Sequence, residues 1–232
     1  MGALFAQKLM FCHSLIMLAS AIQEAALLEL FHQGTNLRYK KGEYIIRPGE
    51  SPQGVFFIES GIVKAYDITK YGEENLLIIR KEQEIFPLIW AITGLERQVI
   101  YEALGATSVW RIDRSQFLQL IASNQGVLAP LLDMTIEMYR IHSERIINLE
   151  YRTVRERLIS FLLTMANRFG EKQSTGVLIN VSLRQQDIAS SINASRETTS
   201  RELTGLERKG LVRSADSFIT ILDEAQLREY LH

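Results

Sequence analysis

The stretch from Leu183 to Val212, LRQQDIASSINASRETTSRELTGLERKGLV, constrains this chain more than any other. Apolar residues fall at Leu183, Ile188, Ala189 and Ile192, then at Leu203, Leu206 and Leu211, which is helical spacing around a small shared core. Between the two sets lies Asn193-Ala194-Ser195. Asn tolerates the left-handed conformation that closes a helix, and the Ser195 hydroxyl can cap the next one by accepting a backbone N–H. The pattern predicts two short helices joined by a tight turn. At the start of the first, Ser182 and Gln185 have the spacing of a capping box.

On the second helix, Arg196, Glu197, Ser200, Arg201 and Thr204 share the face opposite Leu203 and Leu206, because positions three and four apart are neighbours on a helix. Such a face is either an ordinary solvated surface or a reader of the DNA major groove. There, Arg bonds guanine O6 and N7, and a carboxylate accepts from cytosine N4. The preceding helix and turn favour the groove.

These residues resemble the helix-turn-helix of the Crp/Fnr family (cyclic-AMP receptor protein and fumarate-nitrate regulator). The resemblance rests on Asp187-Ile188-Ala189, on Ser195-Arg196-Glu197-Thr198-Thr199-Ser200-Arg201 and on Leu206-Glu207-Arg208-Lys209-Gly210-Leu211. It implies that Glu197, Ser200 and Arg201 read a TGA-type half-site, with Arg184, Gln185, Ser195 and Arg196 also at the DNA. Arg184 departs from the Thr or Ser cap of many relatives. The implied partners are double-stranded DNA, a second copy of the chain and RNA polymerase.

Charge has to act locally. The net charge is −1, so no global basic field coats nucleic acid. Residues 153–232 carry 11 basic and 10 acidic side chains, so DNA affinity must come from the placement of Arg184, Arg196, Arg201, Arg208, Lys209 and Arg213. Cys12 is the one cysteine, which excludes a disulfide framework, a Cys-rich zinc site and a four-cysteine iron–sulfur cluster within the chain. A reducing, cytoplasmic setting fits. No His pair has metal-ligand spacing, and no catalytic constellation is visible. The apolar run from Leu9 to Ala21 is interrupted by His13 and Ser14 and is too short to span a bilayer. It reads as a helix packed on the next domain, or as an extension ahead of a start at Met10 or Met17, rather than as an export signal.

A length of 232 residues with 47% hydrophobic content suits two domains. A helix is expected over Ala21–Phe31. From Leu37 to Ile112 the pattern changes to short apolar runs, at 44–46, 55–58, 62–66, 76–79, 100–104 and 109–112. Glycines or Pro-Gly at 42, 48–49, 54, 61 and 72 mark corners. Many short strands at close spacing suggest a roll. Lys41-Gly42-Glu43, Arg47-Pro48-Gly49-Glu50 and residues 54–64 resemble the same family's cyclic-nucleotide-binding-type β-roll. The fold class is therefore α+β: residues 1–124 a helix and β-roll sensor, 125–152 a dimerisation helix and hinge, and 153–232 a winged helix-turn-helix.

The ligand is less defined. Cyclic-nucleotide binders grip ribose and phosphate with a Gly-Glu pair and an Arg followed by a hydroxyl residue. Here residues 84–98 read EIFPLIWAITGLERQ, with no Gly-Glu and with Gln98 after Arg97. Cyclic AMP is therefore not expected. The segments 157–163 and 169–170 resemble the nitrogen-control branch, which implies 2-oxoglutarate as one effector to weigh. Candidate pocket residues are Phe86, Pro87, Leu88, Arg97 and Arg140. A filled pocket in a constitutive regulator, or a small-molecule-binding roll that no longer acts on DNA, are the other readings.

Leu128, Leu132, Thr135, Tyr139, His142, Ile146 and Leu149 alternate at spacings of four and three, the period of a coiled-coil seam. Leu131, Met134, Met138 and Ile141 form a second stripe able to face the roll. One stripe serves a homodimer and the other the chain's own domain. His142 sits mid-seam, placed either as a haem ligand or pH sensor or as an ordinary solvated side chain.

Overall fold

The computed structural model describes residues 19–231. The apolar run from residue 9 falls largely outside them. Helix α1 (Ala21–Phe31) starts where the Ser20 hydroxyl accepts from the Gln23 N–H, while the Gln23 side chain accepts from the Ser20 N–H. It buries Leu27 and Phe31.

Eight strands follow: β1 (Thr35–Tyr39), β2 (Tyr44–Ile46), β3 (Val55–Ser60), β4 (Val63–Ile68), β5 (Glu74–Arg80), β6 (Ile85–Phe86), β7 (Ile100–Ala103) and β8 (Thr107–Ile112). They form two four-stranded antiparallel sheets, β1-β8-β3-β6 and β2-β7-β4-β5. Strand β3 shows why the run Val-Phe-Phe-Ile is uninterrupted. Alternate side chains leave a strand on opposite faces, so Phe56 and Ile58 pack between the sheets while Val55 and Phe57 pack against helices. Gly61, at φ +93°, permits the turn into β4; a Cβ there would meet the Ala106 carbonyl at 2.5 Å.

Helix α2 (Leu88–Thr93) lies within the expected ligand segment and ends at Gly94 in the left-handed conformation. Helix α3 (Arg114–Ser123) and a short 3-10 turn lead into α4 (Leu128–Tyr151). Leu131 and Met134 of α4 join the cluster around Phe31, Phe57 and Phe117, and Met138 and Ile141 pack against the cluster holding Phe56 and Tyr101. The second stripe thus covers the roll.

The C-terminal unit comprises α5 (Val154–Phe169), β9 (Gly170–Gln173), β10 (Gly176–Ile179), α6 (Gln185–Ser191), α7 (Arg196–Arg208), β11 (Val212–Ala215), β12 (Phe218–Ile221) and α8 (Glu224–Glu229). Its sheet runs β11-β12-β10-β9. Asp216 and Ser217 both have positive φ, as a tight hairpin turn matched to strand twist requires. Leu158, Ile159, Leu162, Ile188, Leu203 and Leu206 form the core under the two helices. The Ser182–Gln185 capping box does not form. Arg184 occupies the N-cap, because the Asp187 carboxylate accepts from its backbone N–H at 3.1 Å.

Strand β5 is an edge strand, and bare edges invite unwanted pairing. Here the chain covers its own edge. The Leu76 N–H donates to Ser190 Oγ, Arg145 donates to the Leu76 carbonyl at 2.7 Å, and Arg168 donates to the Ile79 carbonyl at 2.7 Å. Leu76 and Ile79 also belong to the same core cluster as Leu158 and Ile188. The helix-turn-helix unit is thereby seated directly on the roll.

Candidate nucleic-acid interface and effector cavity

Helix α7 begins where Ser195 Oγ accepts from the Thr198 N–H at 3.1 Å, directly after Asn193 in the left-handed conformation. Thr199, Leu203 and Leu206 are buried, and Thr199 Oγ1 donates to the Ser195 carbonyl at 2.9 Å. That anchors the inner face and turns the outer one outward. Gln185, Arg196, Glu197, Ser200 and Arg201 line one open surface hollow together with Thr204 and Arg208. The Arg201 side chain is 74% exposed, with its guanidinium 4.0 Å from Glu202. Glu202 pairs at 2.7 Å with Arg155 of α5, which lines the same hollow. Arg155 was not singled out in the sequence, since its place depends on how α5 crosses α7.

Arg184 is not in that hollow. Its guanidinium donates to Asp187 and, at 2.9 Å, to Glu74 of the roll. The cap position turns it toward β5, away from the face of α7. Beneath it, Lys64 has no exposed surface; its ammonium lies 2.9 Å from Glu74, 3.6 Å from Glu102 and 3.4 Å from Asp187. The same ammonium sits 4.1 Å over the Tyr66 ring. Burial works against the charge of Asp187, yet the hydrogen bonds from Arg184 and the positive charges of Lys64 and Arg184 hold its carboxyl below the usual range. Burial, reinforced by Glu102, pushes the Tyr66 phenol well up.

A second concavity of about 550 Å³ opens between the roll, α2 and α4. Pro87, Leu88 and Arg97 line it, as do Thr135, Tyr139 and His142 of the expected seam. Phe86 and Arg140, expected in the pocket, are elsewhere. Phe86 is fully buried between Phe56 and Tyr101, because β6 points it into the space between the sheets. Arg140 pairs along its own helix with Glu137 at 2.8 Å and Glu144 at 3.2 Å. In exchange the fold supplies Arg80, which the sequence hid at the end of an apolar strand.

The seam face of α4 is open to solvent. Leu128, Leu132, Thr135, Tyr139, His142, Ile146 and Leu149 are all exposed, Tyr139 by 74% and Ile146 by 57%. Among the described residues, no three His, Cys, Asp or Glu side chains are grouped to hold a metal ion, and no helix is long and apolar enough to cross a membrane.

Two domain families match the chain: a Crp-like helix-turn-helix domain over residues 156–230 and a cyclic nucleotide-binding domain over 36–124. A curated relative, the global nitrogen regulator of Synechococcus elongatus, is 26% identical, the match covering 83% of this chain and 87% of that protein. The transcriptional activator protein anr of Pseudomonas aeruginosa is also 26% identical, over 81% of this chain and 77% of its own length. Among solved structures, a CooA mutant from Carboxydothermus hydrogenoformans superposes with a TM-score of 0.74 at 20% identity, covering 88% of this chain and 90% of that one. At that identity the likeness shows the fold.

Proposed function

The chain belongs to the Crp/Fnr family of DNA-binding transcription regulators, whose helix-turn-helix and cyclic-nucleotide-binding domains it carries in family order, and from that premise we propose that it acts as a cytoplasmic homodimer on a TGA/TCA-type palindrome under control of an effector in the roll. The observation that carries this reading is the outward face of α7. Glu197, Ser200 and Arg201 stand together there, on a helix whose opposite side is locked into the core. A helix presented in this way fits a major groove, and a two-fold dimer places two such helices about one DNA turn, roughly 34 Å, apart.

The exposed apolar stripe on α4 supports the dimer. Leu132, Ile146 and Leu149 are large apolar side chains left 48%, 57% and 37% exposed by their own chain, on a helix whose other face is already committed to the roll. The cavity beside that stripe supports the effector, since three seam residues line it and its occupant would touch the helix that pairs. Contact with RNA polymerase belongs to the same reading and would follow from binding upstream of a promoter.

Footprinting and gel shift of the purified protein test the proposal. Protection of a palindrome with TGA and TCA arms is expected. Binding that is indifferent to sequence and lost uniformly with salt would overturn it.

A further inference from the structure

The cavity between the roll and α4 carries a charge imbalance. Arg80, at 8% exposure, lies in its wall and reaches Glu84 through Nη1 at 3.3 Å. The other oxygen of Glu84 accepts from Nη2 of Arg168, itself 9% exposed and part of α5. Two buried guanidinium groups therefore share one buried carboxylate. The Nε atoms of Arg80 and Arg168 have no hydrogen-bond partner. Burying an ion without full compensation is costly, and Glu84 is the one carboxylate hydrogen-bonded to the pair, so Arg80 keeps donor capacity for a further anion.

The cavity wall itself offers no anion. Among the described residues that line the cavity none is acidic, and Arg97 adds a second guanidinium at its exposed rim. Partial desolvation and the positive charges of Arg145, Arg80, Arg97 and Arg168 hold the His142 imidazole, also in the wall, below its ordinary range. The remaining lining is mostly apolar, with Leu77, Ile78, Trp90 and Val99 contributing. Its volume is of the size that encloses a small organic ligand.

We propose that this cavity takes a small, largely apolar carboxylic acid in its anionic form, the carboxylate seated on Arg80 with Arg97 beside it and the hydrocarbon part against Trp90 and the aliphatic wall. This rests on the reading of the roll as the effector domain and assigns that effector its chemistry. An anionic carboxylate suits a guanidinium fork through paired, charge-assisted hydrogen bonds. The segment bordering this wall, residues 84–98, has no Gly-Glu pair for a ribose and no hydroxyl residue after Arg97, and Pro87 has no backbone N–H to offer a phosphate. Binding also has a route outward. Whatever draws Arg80 from Glu84 leaves Glu84 to Arg168, and Arg168 is the residue that fastens α5 to β5 through the Ile79 carbonyl.

Calorimetry and thermal shift on the full-length protein test this with 3-phenylpropionate and hexanoate, their neutral amides, 2-oxoglutarate and cyclic AMP as probes. The two acids are expected to bind and to raise the melting temperature, and the amides to bind at least about tenfold more weakly, as the loss of one charge-assisted contact would give. Arg80→Gln should remove the preference for acid over amide, and Arg97→Gln, at the exposed rim, should reduce it without affecting folding. Equal binding of acid and amide, stronger binding of 2-oxoglutarate or cyclic AMP than of either acid, or unchanged acid binding in both variants would overturn the assignment. Footprinting on the same samples separates the two readings. A protected palindrome with no acid binding removes the ligand assignment alone, whereas acid binding without sequence-specific protection removes the regulator reading and leaves the ligand assignment standing.

Discussion

Lys64 of the roll and Asp187 of the helix-turn-helix meet at 3.4 Å where Lys64 has no exposed surface at all. Glu74 and Glu102 complete a ring around the ammonium, and Arg184 ties Asp187 to Glu74 from outside. The unit that carries α7 is therefore joined to the sensing unit by a desolvated charge cluster as well as by apolar packing. The two substitutions at its centre are not equivalent. Lys64→Ala leaves three carboxylates around an emptied site and should cost about 3–5 kcal/mol. Asp187→Asn leaves Lys64 two partners and should cost about 1–3 kcal/mol. Urea unfolding of the two variants checks the order, and an Asp187 variant less stable than the Lys64 variant would contradict it.

The same cluster sets a pH response. The Asp187 carboxyl is held below its ordinary value near 3.8, so the folded state binds a proton there less readily than the unfolded chain does. A depressed acid contributes stability that is fully present above its unfolded value and is lost as pH falls through the folded one. Facing it are the cations Lys64 and Arg184, and Glu74, which pairs with both. The stability gap between the parent protein and Asp187→Asn should therefore be level from pH 7 to about 5 and close below about 4. A gap that widens in acid would assign the contribution of Asp187 to something other than its charge.

On α7, Arg201→Ala should lose about 1–3 kcal/mol of binding and relax one base position, as for a bidentate guanine contact. Its 74% exposure means that folding should be unaffected. Glu197→Ala should broaden tolerance at the opposing cytosine. Binding selections on half-site libraries measure both, and uniform weakening on all sequences would move Arg201 from base to phosphate.

Much of this was legible before any coordinates. The three residues between the two helical patterns and the apolar runs of the roll carry their own local chemistry, so Asn193, Ser195 and β2 sit where the spacing puts them. What escaped was non-local. Strands β1 and β9 are largely exposed and carry little periodicity, and β6 is two residues long. Arg80, Glu84 and Arg168 come together only because α5 docks on the edge of β5, and no spacing announces a triad drawn from two domains. Arg184 is likewise placed by a contact that no local spacing announces. Its sequence position beside α6 suggested DNA, while the N-cap geometry turns it to Glu74.

The seam gives the last prediction. Leu132 and Ile146 are 48% and 57% exposed within one chain, so a charged residue at either costs the isolated fold little. Across a two-fold axis the same charge would face its own copy in a desolvated stripe, which is strongly unfavourable. Ile146→Glu should therefore yield a folded monomer by sedimentation at concentrations where the parent is a dimer. Ile68→Glu, at an apolar site on the roll that is 47% exposed, should leave the dimer intact. Loss of the dimer separates two linked half-site contacts, so affinity for the palindrome should fall by about 10²–10⁴ while affinity for an isolated half-site stays unchanged. A monomer that kept full affinity for the palindrome would mean that the two arms are read without α4.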